Sequence, residues 1–202
     1  MFPVGALSQS FGLEMLVSGG EVTKDNLSVY MRAMLMDQVG PCDMVFMLAA
    51  HKDIERTEQL SKQYGCRKLV PEFHAASLKM GKRMILLGAR LTGNEKIKKL
   101  EGKPIHHAVA FGAVASAMGA SCEDTARAFL YNWSAGVVSA SIRLMPLGHD
   151  AAQEILYGIG EAIEETYRRY QDLSVEDAWQ FTPRAEIAGL EHGKLYTKLF
   201  LS

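Results

Sequence analysis

Three glycine–lysine pairs, Gly81-Lys82, Gly102-Lys103 and Gly193-Lys194, are the first places to look for phosphate chemistry. None is followed by Ser or Thr, and none carries the preceding G-x-x-x-x spacing that lets backbone amides wrap a phosphate. The chain is therefore not read as a P-loop NTPase. His106 and His107 are adjacent, so on a helix their side chains diverge by about 100° and cannot share one ion. No H-E-x-x-H pair and no clustered Cys/His spacing occurs, so these imidazoles are read as core or surface groups. Eleven methionines include Met31, Met34, Met44, Met47, Met80 and Met84 at helical spacings. A soft-metal site is one reading of that stripe. Core filling is the simpler one, because unbranched Met adapts to irregular gaps between helices, and a Met-rich partner surface is the alternative. Ser8 and Ser10 lie near a helix start, where a hydroxyl caps free amides, and G-x-S-x-G is missing. No catalytic residue, cofactor ligand or metal ligand is assigned.

The elements that would position any of these residues are helices. Strand signals are nearly absent, with no period-two run of β-branched residues and no Asn-Gly or Asp-Gly hairpin. Pro3 and Gly5 precede Ala6–Ser18, whose Leu7, Phe11, Leu13, Leu16 and Val17 fall near helical spacing. Thr23 is a plausible N-cap for a helix to about Gln38. Gly40-Pro41 reads as a break, with Pro41 suited to the first turn of a helix Asp43–Tyr64 closed by Gly65. Pro71 opens a helix to about Leu91, stopped by Thr92-Gly93-Asn94. Residues 94–104, Lys-rich and broken by Gly102 and Pro104, read as an exposed excursion. Between His106 and Gly119 the residues are small and apolar, which permits close helix approach at the centre of a bundle. Ser121-Cys-Glu-Asp124 is a capping box opening a helix to about Leu144. Met145-Pro-Leu-Gly148 breaks it, and another helix spans about Asp150–Tyr170, with Glu164→Arg168 and Glu165→Arg169 oriented as helix-stabilising pairs. Ser174–Asp177 reads as a capped turn and Pro183 as the start of a last helix. The pattern predicts an all-α single helical bundle of about eight to ten helices, residues 1–202 forming one domain.

The chain has 202 residues, 48% of them hydrophobic, and a net charge of −1. A fold of this size buries roughly 70% of its unfolded surface and needs no staples. Near-neutral charge gives no reason to propose nucleic acid or an anionic membrane as partner, and it does little against self-association. The Lys79/Lys82/Arg83 and Lys96/Lys98/Lys99/Lys103 groups read as solvated faces, with docking to an acidic partner as the alternative. Three widely spaced cysteines, Cys42, Cys66 and Cys122, argue for reduced thiols. No basic region followed by an apolar core is evident at the start, and Ala128–Ile142 is too short and too polar to span a bilayer. The expected location is cytoplasmic.

Three separated stretches carry a family likeness. Phe2-Pro-Val-Gly-Ala-Leu-Ser-Gln-Ser-Phe-Gly-Leu-Glu14 resembles the opening F-P-V-G-x-x-S-x-S-F-G-L-E motif of the urease accessory protein UreF family. Ala126–Leu156, with Trp133, Arg143-Leu-Met-Pro-Leu-Gly148 and Gln153, resembles the family's (K/R)-L-x-P-(L/F)-G-Q-x-x-(A/G)-Q-x-(I/L)-L region, with His149 in place of the usual Gln. Ile187–Ser202 is similar to the ending I-A-x-x-x-H-E-x-x-Y-x-R-L-F-x-S, with Gly193 replacing Glu and Lys198 replacing Arg. A Lys cannot reproduce a bidentate guanidinium contact.

The resemblance implies a non-catalytic, all-helical homodimer in a urease pre-activation complex. Its partners there would be UreD (UreH in some systems), the GTPase UreG and apo-urease, to which the complex delivers nickel. A role in the GTPase cycle is compatible with this. The motif positions become candidate partner-binding residues: Phe2, Pro3, Gly5, Ser8, Ser10, Phe11, Gly12 and Glu14; Arg143, Pro146, Gly148 and Gln153; His192, Tyr196, Lys198, Leu199 and Phe200. The apolar tail 192–202 is expected to be mobile alone and to order against UreD, with Tyr196 and Phe200 as anchors. Folding back onto its own bundle is the rival. A helical enzyme or small-ligand binder with a pocket between helices is the alternative function.

Overall fold

Small residues decide the centre of the molecule. The computed structural model describes residues 10–195 and 198–200. Within them α7 (His107–Ala117) lies between α3 (Val45–Lys52) and α5 (Pro71–Thr92), its most extensive neighbours. Gly112 makes the approach to α3 possible, because a Cβ there would sit 2.0 Å from the Met47 carbonyl oxygen. Around this centre are α1 (Leu13–Ser18), α2 (Leu27–Met34), α4 (Thr57–Gly65), α6 (Glu95–Lys98), α8 (Cys122–Leu144), α9 (His149–Gly158), α10 (Gly160–Tyr170) and α11 (Pro183–Glu191). Among the described residues no strand occurs. The all-α reading is correct. One hydrophobic cluster runs from Leu13 to Phe200 and includes Met31, Met44, Met47, Met80 and Met84, the core role expected of those methionines.

Gly40-Pro41 does not break the chain. A π-helical stretch, Leu35–Met44, carries α2 straight into α3 as one rod with Pro41 inside it. Proline cannot donate to the carbonyls one turn back, and the carbonyls it leaves are used elsewhere. The Asp37 oxygen accepts from the Phe181 amide at 2.8 Å. The Met36 oxygen accepts from the Tyr170 hydroxyl at 2.9 Å. The resulting rod, Leu27–Lys52, is long and apolar enough to cross a membrane, but 78% of its most apolar window is buried in the bundle.

Other boundaries also move. The N-terminal helix starts at Leu13, after a turn at residues 10–12, and residues 1–9 lie outside the described residues. Thr23 is not a cap: its amide donates to Asn26 Oδ1 at 2.8 Å, and α2 begins after Asn26. The expected helix 43–64 is cut at Asp53, which is extended and accepts from the Glu55 amide at 3.0 Å. Gly65 is the last residue of α4 rather than the one beyond it. Residues 94–104 are not wholly exposed, since Ile97 and Leu100 are buried in the core. The helix expected over 150–170 is two segments meeting at Ile159. Glu164 and Glu165 reach across to Arg127 and Arg32 on other helices rather than along their own. The Ser121 cap, the Pro71 and Pro183 starts and the Ser174–Asp177 turn all form as expected.

Candidate functional site

Glu14 is a carboxylate in an otherwise apolar helix start, and it is only 5% exposed. Burying it costs several kcal/mol, on the order of what its hydrogen bonds must return. Its oxygens are fully engaged by the C-terminus of the chain. His192 Nε2 lies 2.9 Å from Oε2. The Leu199 amide donates to Oε1 at 2.6 Å and the Phe200 amide to Oε2 at 3.2 Å. A carboxylate only accepts, which assigns the ring proton of His192 to Nε2. Phe200, 3% exposed, is covered by Arg143, whose guanidinium carbon stands 4.1 Å from the ring centroid. Such a contact is worth about 0.5–2 kcal/mol. The first and last of the three sequence motifs thus meet at one buried carboxylate, and the middle one joins them through Arg143 on the Phe200 ring.

The turn ahead of Glu14 sets its place. Phe11 (φ 49°) and Gly12 (φ 87°) are both left-handed. A Cβ on Gly12 would meet the Ala185 carbonyl oxygen at 2.8 Å, so α1 starts directly on α11. Phe11 stacks edge-on with Phe73, centroids 5.5 Å apart. Arg184 of α11 and Glu21, just after α1, form an exposed fork, with Nε 2.6 Å from Oε2.

Of the candidate partner-binding residues, the structure brings Glu14, Arg143, His192, Leu199 and Phe200 together, and seats Phe11 and Gly12 beside them. Ser10, Glu14, His192 and Phe200 are buried within this chain. Arg143 and Lys198 are exposed, and Leu199 is 62% exposed. Pro146, Gly148 and Gln153 are exposed along the turn after α8 and the first part of α9. Phe2, Pro3, Gly5, Ser8 and Tyr196 lie outside the described residues. The described part of 192–202 is packed on the chain's own Glu14.

A cavity of 110 Å³ adjoins this hub, lined by Phe11, Phe73, Phe129 and Trp133 among others. The buried Asp43–Lys68 pair borders it, with Nζ 2.9 Å from Oδ1 and the Tyr64 hydroxyl donating to the same oxygen at 2.8 Å. Burial raises the Tyr64 phenol well above its ordinary range, helped by the Asp43 charge. Burial lowers His107, also on the cavity wall, to about 4, so it is neutral at neutral pH. His106 is lowered to about 4 by burial and by His74. Among the described residues no group of three or more His, Cys, Asp or Glu side chains could hold a metal ion. Sequence reasoning missed the Asp43–Lys68–Tyr64 set, in which Asp43 lies 21 and 25 residues from Tyr64 and Lys68. It named Glu14 as a partner-binding candidate and missed its pairing within the chain, although a lone charge between Leu13 and Leu16 was a signal of it.

Comparison with known proteins bears on the same segments. The family model described as UreF matches residues 22–160. A urease accessory protein UreF of Rhodopseudomonas palustris (strain HaA2) is 31% identical over 210 residues, covering 100% of this chain and 89% of the relative. A protein of the same name from Bradyrhizobium diazoefficiens is 30% identical over 100% of this chain and 87% of its own length. The one from Trichodesmium erythraeum is 28% identical over 98% and 91%.

Proposed function

The chain belongs to the UreF family of urease accessory proteins, and from that premise we propose that it is a non-catalytic scaffold that joins UreD and UreG in a complex delivering nickel to apo-urease. The carrying observation is the closure of the two terminal motifs on Glu14, with Arg143 of the middle motif over Phe200, which fixes the C-terminal segment while leaving Leu199 outward. A buried polar hub of this kind performs no chemistry. It holds a surface in register. Leu199, with the exposed Ile187 and Leu190 of α11, supplies apolar area for a partner, and such area is a solubility liability unless covered. Lys198 gives that surface one point charge in place of a guanidinium fork. The protein works in the cytoplasm as a homodimer and influences GTP hydrolysis by UreG through the assembled complex.

The cavity of 110 Å³ favours a second reading, a small-ligand binder with its site between helices. Co-expression with UreD and UreG, followed by size-exclusion chromatography with light scattering, separates the two. The scaffold reading requires a co-eluting complex containing two copies of this chain. Elution alone, with a small molecule retained in the bundle, supports the binder instead.

A further inference from the structure

Cys122 and His51 are 71 residues apart in sequence and touch in the fold, outside the Glu14 hub. His51, at the end of α3, is buried, and its Nε2 lies 2.9 Å from the Ala120 carbonyl oxygen. A carbonyl only accepts, so the ring proton sits on Nε2 and the bare Nδ1 faces Cys122 Sγ at 3.1 Å. The imidazole is held as a base against a thiol, oriented by a third group. This is the arrangement that activates a nucleophile. Cys122 is also the first residue of a 23-residue helix, where the partial positive charge of the free amides favours an anion. Its side chain is neither fully buried nor fully exposed, which leaves a path for a small reagent.

The other two thiols lack such a base. Cys66 is exposed and directs its Sγ to the Lys62 carbonyl oxygen at 3.4 Å, a group that takes no proton. Cys42 is buried, and that burial pushes its thiol up to about 12.

We propose that Cys122 is a thiol–disulfide exchange site for small disulfides, with His51 as its base. In the exchange the Cys122 proton passes to His51 Nδ1 and Sγ attacks one sulfur of the disulfide. The S–S bond breaks as the new one forms, and the departing thiolate takes the proton back from His51. One thiol and one disulfide give one mixed disulfide and one thiol, with no outside oxidant or reductant. Tyr167 of α10 interacts electrostatically with Cys122, and Arg127, paired with Glu123 on α8, stands over its ring at 4.9 Å.

The test treats the full chain with dithiobis-nitrobenzoate and reads each cysteine by mass spectrometry over time. Cys122 is expected to react about tenfold faster than the more exposed Cys66 at neutral pH. His51→Gln, which can still bond Ala120 but cannot take the proton, brings Cys122 down to the Cys66 rate or below and leaves Cys66 unchanged. A Cys122 rate no greater than that of Cys66 in the unsubstituted protein overturns the proposal, whether or not the variant folds. An unchanged Cys122 rate in folded His51→Gln overturns it as well.

Discussion

Replacing Glu14 by Gln keeps the shape of the hub and removes its charge. In the native chain one carboxylate oxygen takes the Leu199 amide, while the other takes His192 Nε2 and the Phe200 amide. Glutamine has one acceptor oxygen. In its better orientation that oxygen keeps the His192 and Phe200 donors, and its NH₂ is turned on the Leu199 amide, donor against donor. At least one charge-assisted bond is lost and one N–H is left without a partner, a cost of about 1.5–3 kcal/mol. For a chain of this length each kcal/mol moves the melting temperature by about 2–4 °C, so Glu14→Gln should melt about 3–12 °C lower. Circular dichroism on heating gives the shift, and limited proteolysis shows whether the C-terminal segment is released first. Arg143→Ala removes an exposed cation–π contact, and the loss of that contact should cost less, about 0.5–1 kcal/mol. A Glu14→Gln melting temperature within about 1 °C of the parent would refute the reasoning, because the hub would then contribute no net stability.

Further outcomes follow from the same structure. Gly12→Ala forces a Cβ into the left-handed region and to 2.8 Å from the Ala185 carbonyl oxygen, so it should destabilise by more than the bare conformational cost of about 1–2 kcal/mol, read from urea midpoints. Gly112→Ala should be the more damaging, since its Cβ meets the Met47 carbonyl at 2.0 Å and α3 and α7 must separate; loss of cooperative unfolding or of soluble expression checks it. His106 and His107 are held to about 4 in the folded chain, below the ordinary imidazole value. Between about pH 6.5 and pH 4 the unfolded chain therefore binds more protons, and stability falls as pH drops through that window by on the order of 1–3 kcal/mol for each imidazole. A urea midpoint that stays flat from pH 7 to pH 4.5 contradicts this.

The sequence showed helices wherever local chemistry acts alone. Ser121, Pro71 and Pro183 each set a helix start through their own side chain or ring, and each start lies where the pattern put it. Pro41 was misleading because its effect depends on distant residues. Phe181 and Tyr170 satisfy the carbonyls that a proline leaves free, and no local pattern contains them. Glu164 and Glu165 failed for the same reason, their arginines lying on other helices. The candidate site divides in a similar way. Its members were visible as motifs at the two ends and near the middle of the chain. Their convergence around Glu14 and Phe200, and the burial of Ser10, Glu14, His192 and Phe200, arise only when α11 folds over α1.

The central claim is that the hub holds an outward surface for a partner, and Leu199 is the residue that probes it without disturbing the interior. Leu199→Asp places a charge on a side chain that is 62% exposed, so the fold and its melting temperature should be unchanged. Titrating purified UreD against the parent and the variant by calorimetry measures the claim directly. The account predicts at least about a tenfold weaker association for Leu199→Asp, on the order of 1.4 kcal/mol. Equal UreD affinity for the two proteins, with both fully folded, would contradict it.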